Sequence, residues 1–175
     1  MLATALTYTR SGWQFAVKAE NRTLIEVLLK NGADCNIQDN EDTGFNSPMH
    51  LACERNMIQI VKMFMSAGGN PEKRNQMGFS CLHIAARYGY EFLVKDLKNY
   101  SADIEHLRDV HGFTASYWAK QNGHSAIVQC LPAPQRISKE EYYDYINEVW
   151  SKHDHLKPKG KKGKGKGKKG GKKKK

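Results

Sequence analysis

Apolar residues along most of the chain recur at helical spacing. Four apolar pairs are each followed, three positions after the second member, by a third apolar residue. The pairs are Leu24-Ile25, Ile60-Val61, Leu93-Val94 and Ile127-Val128, and the third residues are Leu28, Phe64, Leu97 and Leu131. This spacing places the apolar side chains on one face of a helix, whereas a half-buried strand would alternate. The pattern therefore predicts four helices that each bury one face.

A short segment before each pair also recurs, at a nearly constant interval. Residues 47–52 read SPMHLA, residues 80–85 read SCLHIA thirty-three positions later, and residues 114–119 read TASYWA after thirty-four more. Residues 11–16, SGWQFA, form a degenerate first copy. Self-similarity at such a period is typical of supersecondary units that stack. The chain is thus predicted to hold four units of two helices each.

Glycines punctuate these units. Gly32 and Gly68 follow the second helices, where a left-handed residue is expected, and Ser101 takes that place in the third unit. Three more glycines, Gly44, Gly78 and Gly112, fall in the loops just before the next helix pair.

Together these motifs closely resemble the ankyrin-repeat family. The resemblance covers roughly residues 10–131 and is carried by Pro48-Met49-His50-Leu51-Ala52, Leu82-His83-Ile84-Ala85-Ala86 and Gly32-Ala33-Asp34-Cys35-Asn36. It implies an all-α solenoid of helix–turn–helix–hairpin units. The stack is expected over residues 1–131, with units at 1–36, 37–71, 72–104 and 105–131. In such a family His50 and His83 would brace neighbouring loops by hydrogen bonds.

The segment after the stack predicts one further helix. A proline-containing linker is expected at 132–137, and Ser138 with Glu141 forms a capping box that opens a helix at 138–152. An apolar stripe on this helix consists of Tyr142, Ile146, Val149 and Trp150. The stripe must be buried. Packing on the fourth unit is the favoured interpretation, because a terminal repeat needs a cap, and burial by a partner is the alternative.

Charge is divided sharply along the chain. Residues 157–175 contain twelve lysines, six glycines and one proline, so removing them takes the formal net charge from +10 to −2. A segment without apolar residues cannot offset its chain entropy, and residues 153–175 are predicted to be disordered. The polyanion-binding candidates are Lys157, Lys159, Lys161, Lys162, Lys164, Lys166, Lys168, Lys169, Lys172, Lys173, Lys174 and Lys175.

Residues that carry chemistry are scattered. The four cysteines are widely and irregularly spaced, which favours free thiols in a reducing compartment. No apolar run reaches the roughly 18 residues of a membrane span. No phosphate loop, nucleophile elbow or metal-ligand spacing occurs, so the sequence predicts no enzyme, no cofactor and no metal. An intracellular, cytoplasmic protein is expected, cytoskeletal and ciliary sites being compatible with it and the nucleus an alternative.

The resemblance implies a concave face built from hairpin tips and the outward side of the first helices. The hairpin at 39–46 carries three extra residues, which are either a partner contact or a tolerated insertion. Phe79 and Phe113 are expected mostly to pack neighbouring loops. Trp118 is expected to fill the core at the end of the stack, and a surface contact is the alternative for it. The candidate protein-binding residues are Asp42, Phe45, Glu54, Arg55, Met77, Arg87, Tyr88, Tyr90, His111, Gln121 and Asn122.

Two functions follow from these features. The favoured one is a monomeric adaptor whose stack selects a protein partner while the tail meets an acidic surface such as tubulin tails, nucleic acid or anionic lipid. A microtubule or a ciliary axoneme would fit this adaptor. The alternative is a nucleic-acid-associated protein, bound to RNA, ribosomes or chromatin, in which the tail dominates.

Overall fold

The computed structural model describes residues 10–39, 44–133 and 138–152. Helices dominate these ranges, and their one isolated β-bridge joins Arg108 to Thr114. The predicted all-α repeat fold is confirmed, whereas the predicted disorder of 153–175 lies outside the described residues. The helices are α1 (Arg10–Lys18), α2 (Arg22–Lys30), α3 (Pro48–Glu54), α4 (Ile58–Ser66), α5 (Cys81–Tyr88), α6 (Glu91–Tyr100), α7 (Ala115–Gln121), α8 (Ser125–Cys130) and α9 (Lys139–Lys152), with a 3-10 helix at Asp103–His106.

The first eight helices form four antiparallel pairs that stack side by side. The inner helices α1, α3, α5 and α7 pack on one another in succession, and each also packs on the second helix of its own pair. The apolar residues that define the sequence pattern are all buried or half-buried. Neighbouring units share this core, as in the edge-to-face contact of Trp13 with Phe64, whose ring centroids lie 5.4 Å apart. No unit buries its own apolar face alone, so the stack is the folding unit.

The second helices end in two different ways. Gly32 and Gly68 take positive φ angles of 73° and 85°, as predicted. The expectation for Ser101 is wrong, because its φ is −153° and its backbone is extended. A side chain at Cβ disfavours the left-handed region, so the third unit leaves its helix through an extended residue and the 3-10 turn that follows.

Three hairpin loops link the units: loop 1 (38–46), loop 2 (74–79) and loop 3 (108–113). Loops 2 and 3 are closed by bonds from Asn75 N to Phe79 O (3.1 Å) and from Asp109 N to Phe113 O (2.9 Å). In loop 1 the equivalent bond runs from Asp39 N to Asn46 O (2.9 Å), three residues wider. The base of loop 1 is thus closed like the bases of loops 2 and 3. Residues 40–43 of loop 1 are not described.

Helix α9 lies against the loops rather than on the helices of the last unit. The hydroxyl of Tyr142 donates to the Val110 carbonyl at 3.1 Å, and that of Tyr145 donates to the Arg108 carbonyl. Ile146 is buried and Trp150 is half-buried. The favoured interpretation, packing on the fourth unit, therefore holds for the loop of that unit. The helices α7 and α8 instead line an open cleft that α9 leaves uncovered.

Candidate protein-binding surface

Two buried histidines fix the hairpin loops to the inner helices. Ser47 precedes α3, and its backbone N–H donates to Nδ1 of His50 at 3.1 Å. Because Nδ1 accepts, the ring proton lies on Nε2, which donates to the carbonyls of Lys73 and Phe79, each at 3.0 Å. One imidazole thereby accepts a hydrogen bond at the start of its own helix and donates hydrogen bonds to two backbone carbonyls of the next repeat. The structural role predicted for His50 is what the geometry shows.

His83 repeats this arrangement one unit later. Ser80 N–H donates to its Nδ1 at 3.3 Å, and its Nε2 donates to the Phe113 carbonyl at 3.1 Å. Burial disfavours the charged ring and lowers the pKa of His50 and of His83 to about 4. Both rings are therefore neutral at physiological pH and act as structural donors.

A ladder of side-chain bonds connects the three hairpin loops. Gln38 Nε2 donates to the Arg74 carbonyl at 2.7 Å, and Arg74 Nη1 donates to the Arg108 carbonyl at 2.6 Å. In loop 3 the buried Asp109 carboxylate accepts from the N–H groups of His111 and Phe113 at 2.8 and 2.9 Å. Burial raises the pKa of Asp109, although these bonds favour the charged form. Hydrogen bonds thus link the three loops into one row, which we call the loop row.

At the ends of the inner helices α3 and α5, Tyr88 and Tyr90 form an aromatic pair next to Glu54. The rings of Tyr88 and Tyr90 stack with centroids 5.7 Å apart. Tyr88 donates its hydroxyl to the Glu54 carboxylate at 3.4 Å, and Tyr90 donates to the Glu54 carbonyl at 3.1 Å. These contacts cross from the third unit to the second. They hold two tyrosines in fixed positions while 46% of Tyr88 stays exposed.

Arg87 lies next to the tyrosines but is engaged within the stack. Its guanidinium sits over the rings of Trp118, Phe79 and Tyr88, 5.6, 5.8 and 6.0 Å from their centroids. Its carbonyl accepts from His124 Nε2 at 3.1 Å. Cation–π contacts of this kind orient the side chain. Arg87 therefore supports the neighbouring aromatic side chains, and its charge is engaged with their rings.

Trp118 is one of the aromatic residues in contact with Arg87. It is only half-buried, packs edge-on against Phe79 with centroids 5.2 Å apart, and donates from Nε1 to Asp109 at 2.9 Å. Phe79 is buried, and Phe113 stacks on Tyr117 at 3.9 Å. These phenylalanines pack as expected, and Trp118 combines packing with a hydrogen bond that ties α7 to loop 3.

The other predicted contact residues differ in how far their side chains are exposed. Phe45 is half-buried and adopts a positive φ of 54°. Asp42 and the twelve tail lysines lie outside the described residues. The predicted residues that are exposed are Glu54, Arg55, Met77, Arg87, Tyr88, His111, Gln121 and Asn122.

Sequence reasoning missed one exposed aromatic residue at this surface. Phe92 is 74% exposed and lines, with Tyr90 and Asn56, a cleft of about 200 Å³ between the second and third units. The sequence does carry a signal, because Phe92 stands directly before the Leu93-Val94 pair. A residue there points away from the buried stripe of its helix. We call Glu54, Tyr88, Tyr90 and Phe92 the aromatic patch.

The described residues bring no metal-binding cluster together. Within them, no three side chains among histidine, cysteine, aspartate and glutamate gather as a metal site would require. Burial raises the pKa of the Cys53 thiol, which also contacts the thiol of Cys81, so it is a poor nucleophile. No helix in the described ranges is both long and apolar enough for a membrane span.

Comparison with known families settles what kind of stack this is. A family model of ankyrin repeats in three copies matches residues 13–107 and 49–140. The chain belongs to the ankyrin-repeat family. Ankyrin repeats generally mediate protein–protein interaction, and the aromatic patch and the loop row lie on an ankyrin stack.

Similar ankyrin proteins have varied names. Ankyrin repeat domain-containing protein 63 of Mus musculus is 30% identical over 114 residues, 63% of this chain and 28% of that protein. E3 ubiquitin-protein ligase XBAT33 of Arabidopsis thaliana is 30% identical over 124 residues, 70% of this chain and 24% of the ligase. NF-kappa-B inhibitor alpha of Sus scrofa is 30% identical over 95 residues, 51% and 29% of the two chains. The chain spans less than a third of the length of each.

Proposed function

We propose that the protein is a non-catalytic adaptor. Its ankyrin stack binds a protein partner through the aromatic patch, and its lysine-rich tail adds affinity for an acidic surface. The observation that carries the proposal is the patch itself. Two stacked tyrosines, held by hydrogen bonds to Glu54, stand at the junction of two repeats beside the exposed Phe92.

The patch suits protein binding because it is ordered before the partner arrives. Tyrosine supplies a large contact area with few rotatable bonds, and its hydroxyl tolerates water when the partner is absent. The Glu54 bonds fix Tyr88 and Tyr90 further, so less side-chain entropy is lost on binding. The cleft beside Phe92 offers a pocket for an apolar partner side chain.

The tail is proposed to act as an electrostatic accessory. Residues 157–175 contain no arginine or aromatic residue that could stack on bases. This composition favours binding to an acidic protein surface over sequence-specific binding to nucleic acid. An acidic polymer such as the microtubule, with its tubulin tails, fits this chemistry. Two attachments on one chain would raise avidity without high affinity at either. The alternative, a nucleic-acid-associated protein, is supported by the tail charge alone.

Affinity capture from native lysate, followed by mass spectrometry, tests the adaptor. Three proteins are compared with the wild-type chain: Tyr88→Ala combined with Phe92→Ala, the chain ending at residue 156, and Phe15→Ala. Phe15 is the matched control, because it is a 65% exposed aromatic residue in the first repeat and lies outside the patch. Every capture is repeated after RNase digestion.

We expect a partner that survives RNase and the loss of the tail, is retained by Phe15→Ala, and is lost from the double variant. A partner retained equally by all variants would place recognition elsewhere on the stack. Partners that all vanish with RNase or with the tail would favour the nucleic-acid alternative and contradict the adaptor.

A further inference from the structure

Helix α9 occupies a surface that is distinct from the aromatic patch. Two tyrosines one helical turn apart reach loop 3, where Tyr142 donates to Val110 O and Tyr145 donates to Arg108 O. Arg74 joins them, since its Nη1 donates to the Tyr145 hydroxyl at 2.6 Å and its guanidinium lies 5.8 Å from the centre of that ring. Two loop carbonyls and Arg74 thus bind the helix through hydrogen bonds with its tyrosine hydroxyls.

The charges on the two sides are complementary. Glu140 and Glu141 occupy the first turn of α9, and Arg74 and Arg108 belong to the loop row. Arg108 lies close enough to Glu141 to help lower the pKa of that carboxyl, after the larger effect of its hydrogen bonds with Ser138. An acidic helix start therefore faces the basic part of the loop row.

Few of the described side chains of α9 are buried. Of the side chains described on this helix, Ile146 is the one that is buried, and Tyr143 is 54% exposed. Ile146 stands apart from the continuous core that runs through the repeats. Polar contacts at the edge of loops contribute little beside a shared apolar core. The contacts of α9 are therefore separate from the apolar core that holds the repeats together.

We propose that Arg74, Arg108 and Val110 form a second binding site, whose ligand is an acidic partner helix with tyrosines three residues apart. Helix α9 is its internal competitor: it fills the site in cis until a partner helix of the same chemistry displaces it. The seated α9 shows the chemistry that the site accepts. The site is independent of the aromatic patch and does not rest on the adaptor proposal.

The test uses a fluorescein-labelled peptide of residues 138–152, added in trans to the full chain. Tyr142→Phe combined with Tyr145→Phe weakens the cis helix, whereas the peptide keeps both hydroxyls. We expect the peptide to bind this double variant at least tenfold more tightly than the wild-type chain. Asn147→Gln is the matched control, because it changes an exposed side chain on the same helix, and it should bind like the wild type. Adding Arg74→Ala to the double variant should weaken binding at least tenfold.

A second measurement needs no variant. Hydrogen exchange of the α9 backbone amides in the wild-type chain should speed up at least fivefold when unlabelled peptide is present at saturation, because the peptide keeps α9 off the loops. Exchange that does not change, or a peptide that binds the wild type and the double variant alike, would overturn the proposal. Binding that ignores Arg74→Ala would do the same. A wild-type dimer that Tyr145→Phe dissociates would mean that the ligand is α9 of a second copy, and would overturn a separate partner.

Discussion

His50 donates from Nε2 to the carbonyl oxygen of Phe79 at 3.0 Å, and so connects the inner helix of one repeat to the loop that opens the next. His83 makes the same connection to Phe113 at 3.1 Å. Each ring must stay neutral, because Nδ1 is already an acceptor for the backbone N–H of a serine. The order of the loop row therefore depends on the protonation state of two buried rings.

This dependence predicts acid lability. The pKa of each folded ring, about 4, lies below the ordinary value of 6.5, so the unfolded chain takes up protons first as the pH falls. The full stability is present above pH 6.5, is lost progressively between about 6.5 and 4, and falls no further from this cause below 4. The loss should be about 3 kcal/mol for each ring. Urea unfolding at a series of pH values measures it.

The histidine variants isolate this effect from the rest of the protein. His50→Gln should lower the free energy of unfolding at pH 7 and reduce the pH slope by about half, since one of two buried rings is gone. The raised pKa of Asp109 acts in the opposite direction, so the comparison is between variants and the wild type. His106→Gln changes an exposed histidine and is the control. Equal slopes for His50→Gln and the wild type would contradict the prediction.

The roles of these histidines were predictable from the resemblance to the ankyrin-repeat family, and the helices were predictable because their apolar stripes are local in sequence. Helix α9 shows the limit. Its apolar stripe predicted a buried face, and Ile146 is buried, but the stripe did not predict the hydrogen bonds from the hydroxyls of Tyr142 and Tyr145 to loop carbonyls. Carbonyl positions are products of tertiary folding, and Tyr145 is off the predicted stripe. The sequence could indicate a docked helix but not the surface on which it docks.

Trp118 should contribute stability through both packing and its indole N–H. Trp118→Ala removes its contact with Phe79 and the donor to Asp109, and should cost about 3 kcal/mol, the lower end for a tryptophan because it is only half-buried. Trp118→Phe keeps a ring there and loses only the donor, so its cost should be about 1–2 kcal/mol. Urea unfolding of both variants at pH 7 gives the comparison. Two equal losses would mean that the ring packing contributes nothing.

The tail should give the chain a salt-dependent affinity for polyanions. If about six of its lysines meet the phosphates of polyuridylate, the logarithm of the binding constant should fall with the logarithm of salt concentration with a slope of about −4. Fluorescence titrations between low and physiological salt measure this slope. A chain with the twelve tail lysines replaced by glutamine keeps its length and should show a slope near zero. Strong binding by that variant would move polyanion binding to the repeats.

The candidate surface was predicted less completely than the fold. Tyr88 and Tyr90 were found because they follow a recurring motif, but their bonds to Glu54 cross between repeats that lie more than thirty residues apart in sequence. Arg87 looked like a free contact residue, and the structure places its guanidinium over three aromatic rings. Such partners are set by the angle at which repeats stack. That angle is a property of the whole core and has no signature in any single unit.

Close packing between loops 2 and 3 gives a last prediction, centred on Gly78. A Cβ at this position would lie 2.6 Å from the backbone nitrogen of Val110 in loop 3. The N–H of Val110 also donates to the Met77 carbonyl at 3.2 Å, so the two loops are already in close contact. Gly123 has a similar φ, +78° against +73°, but a Cβ there would meet no atom within 4 Å. Gly123→Ala should therefore cost only the left-handed strain, about 1–2 kcal/mol. Gly78→Ala carries the same strain and must also push two backbone segments apart, so its free energy of unfolding should fall clearly further. Urea unfolding of the two variants side by side measures the difference, and equal losses would mean that the loop row can separate without cost.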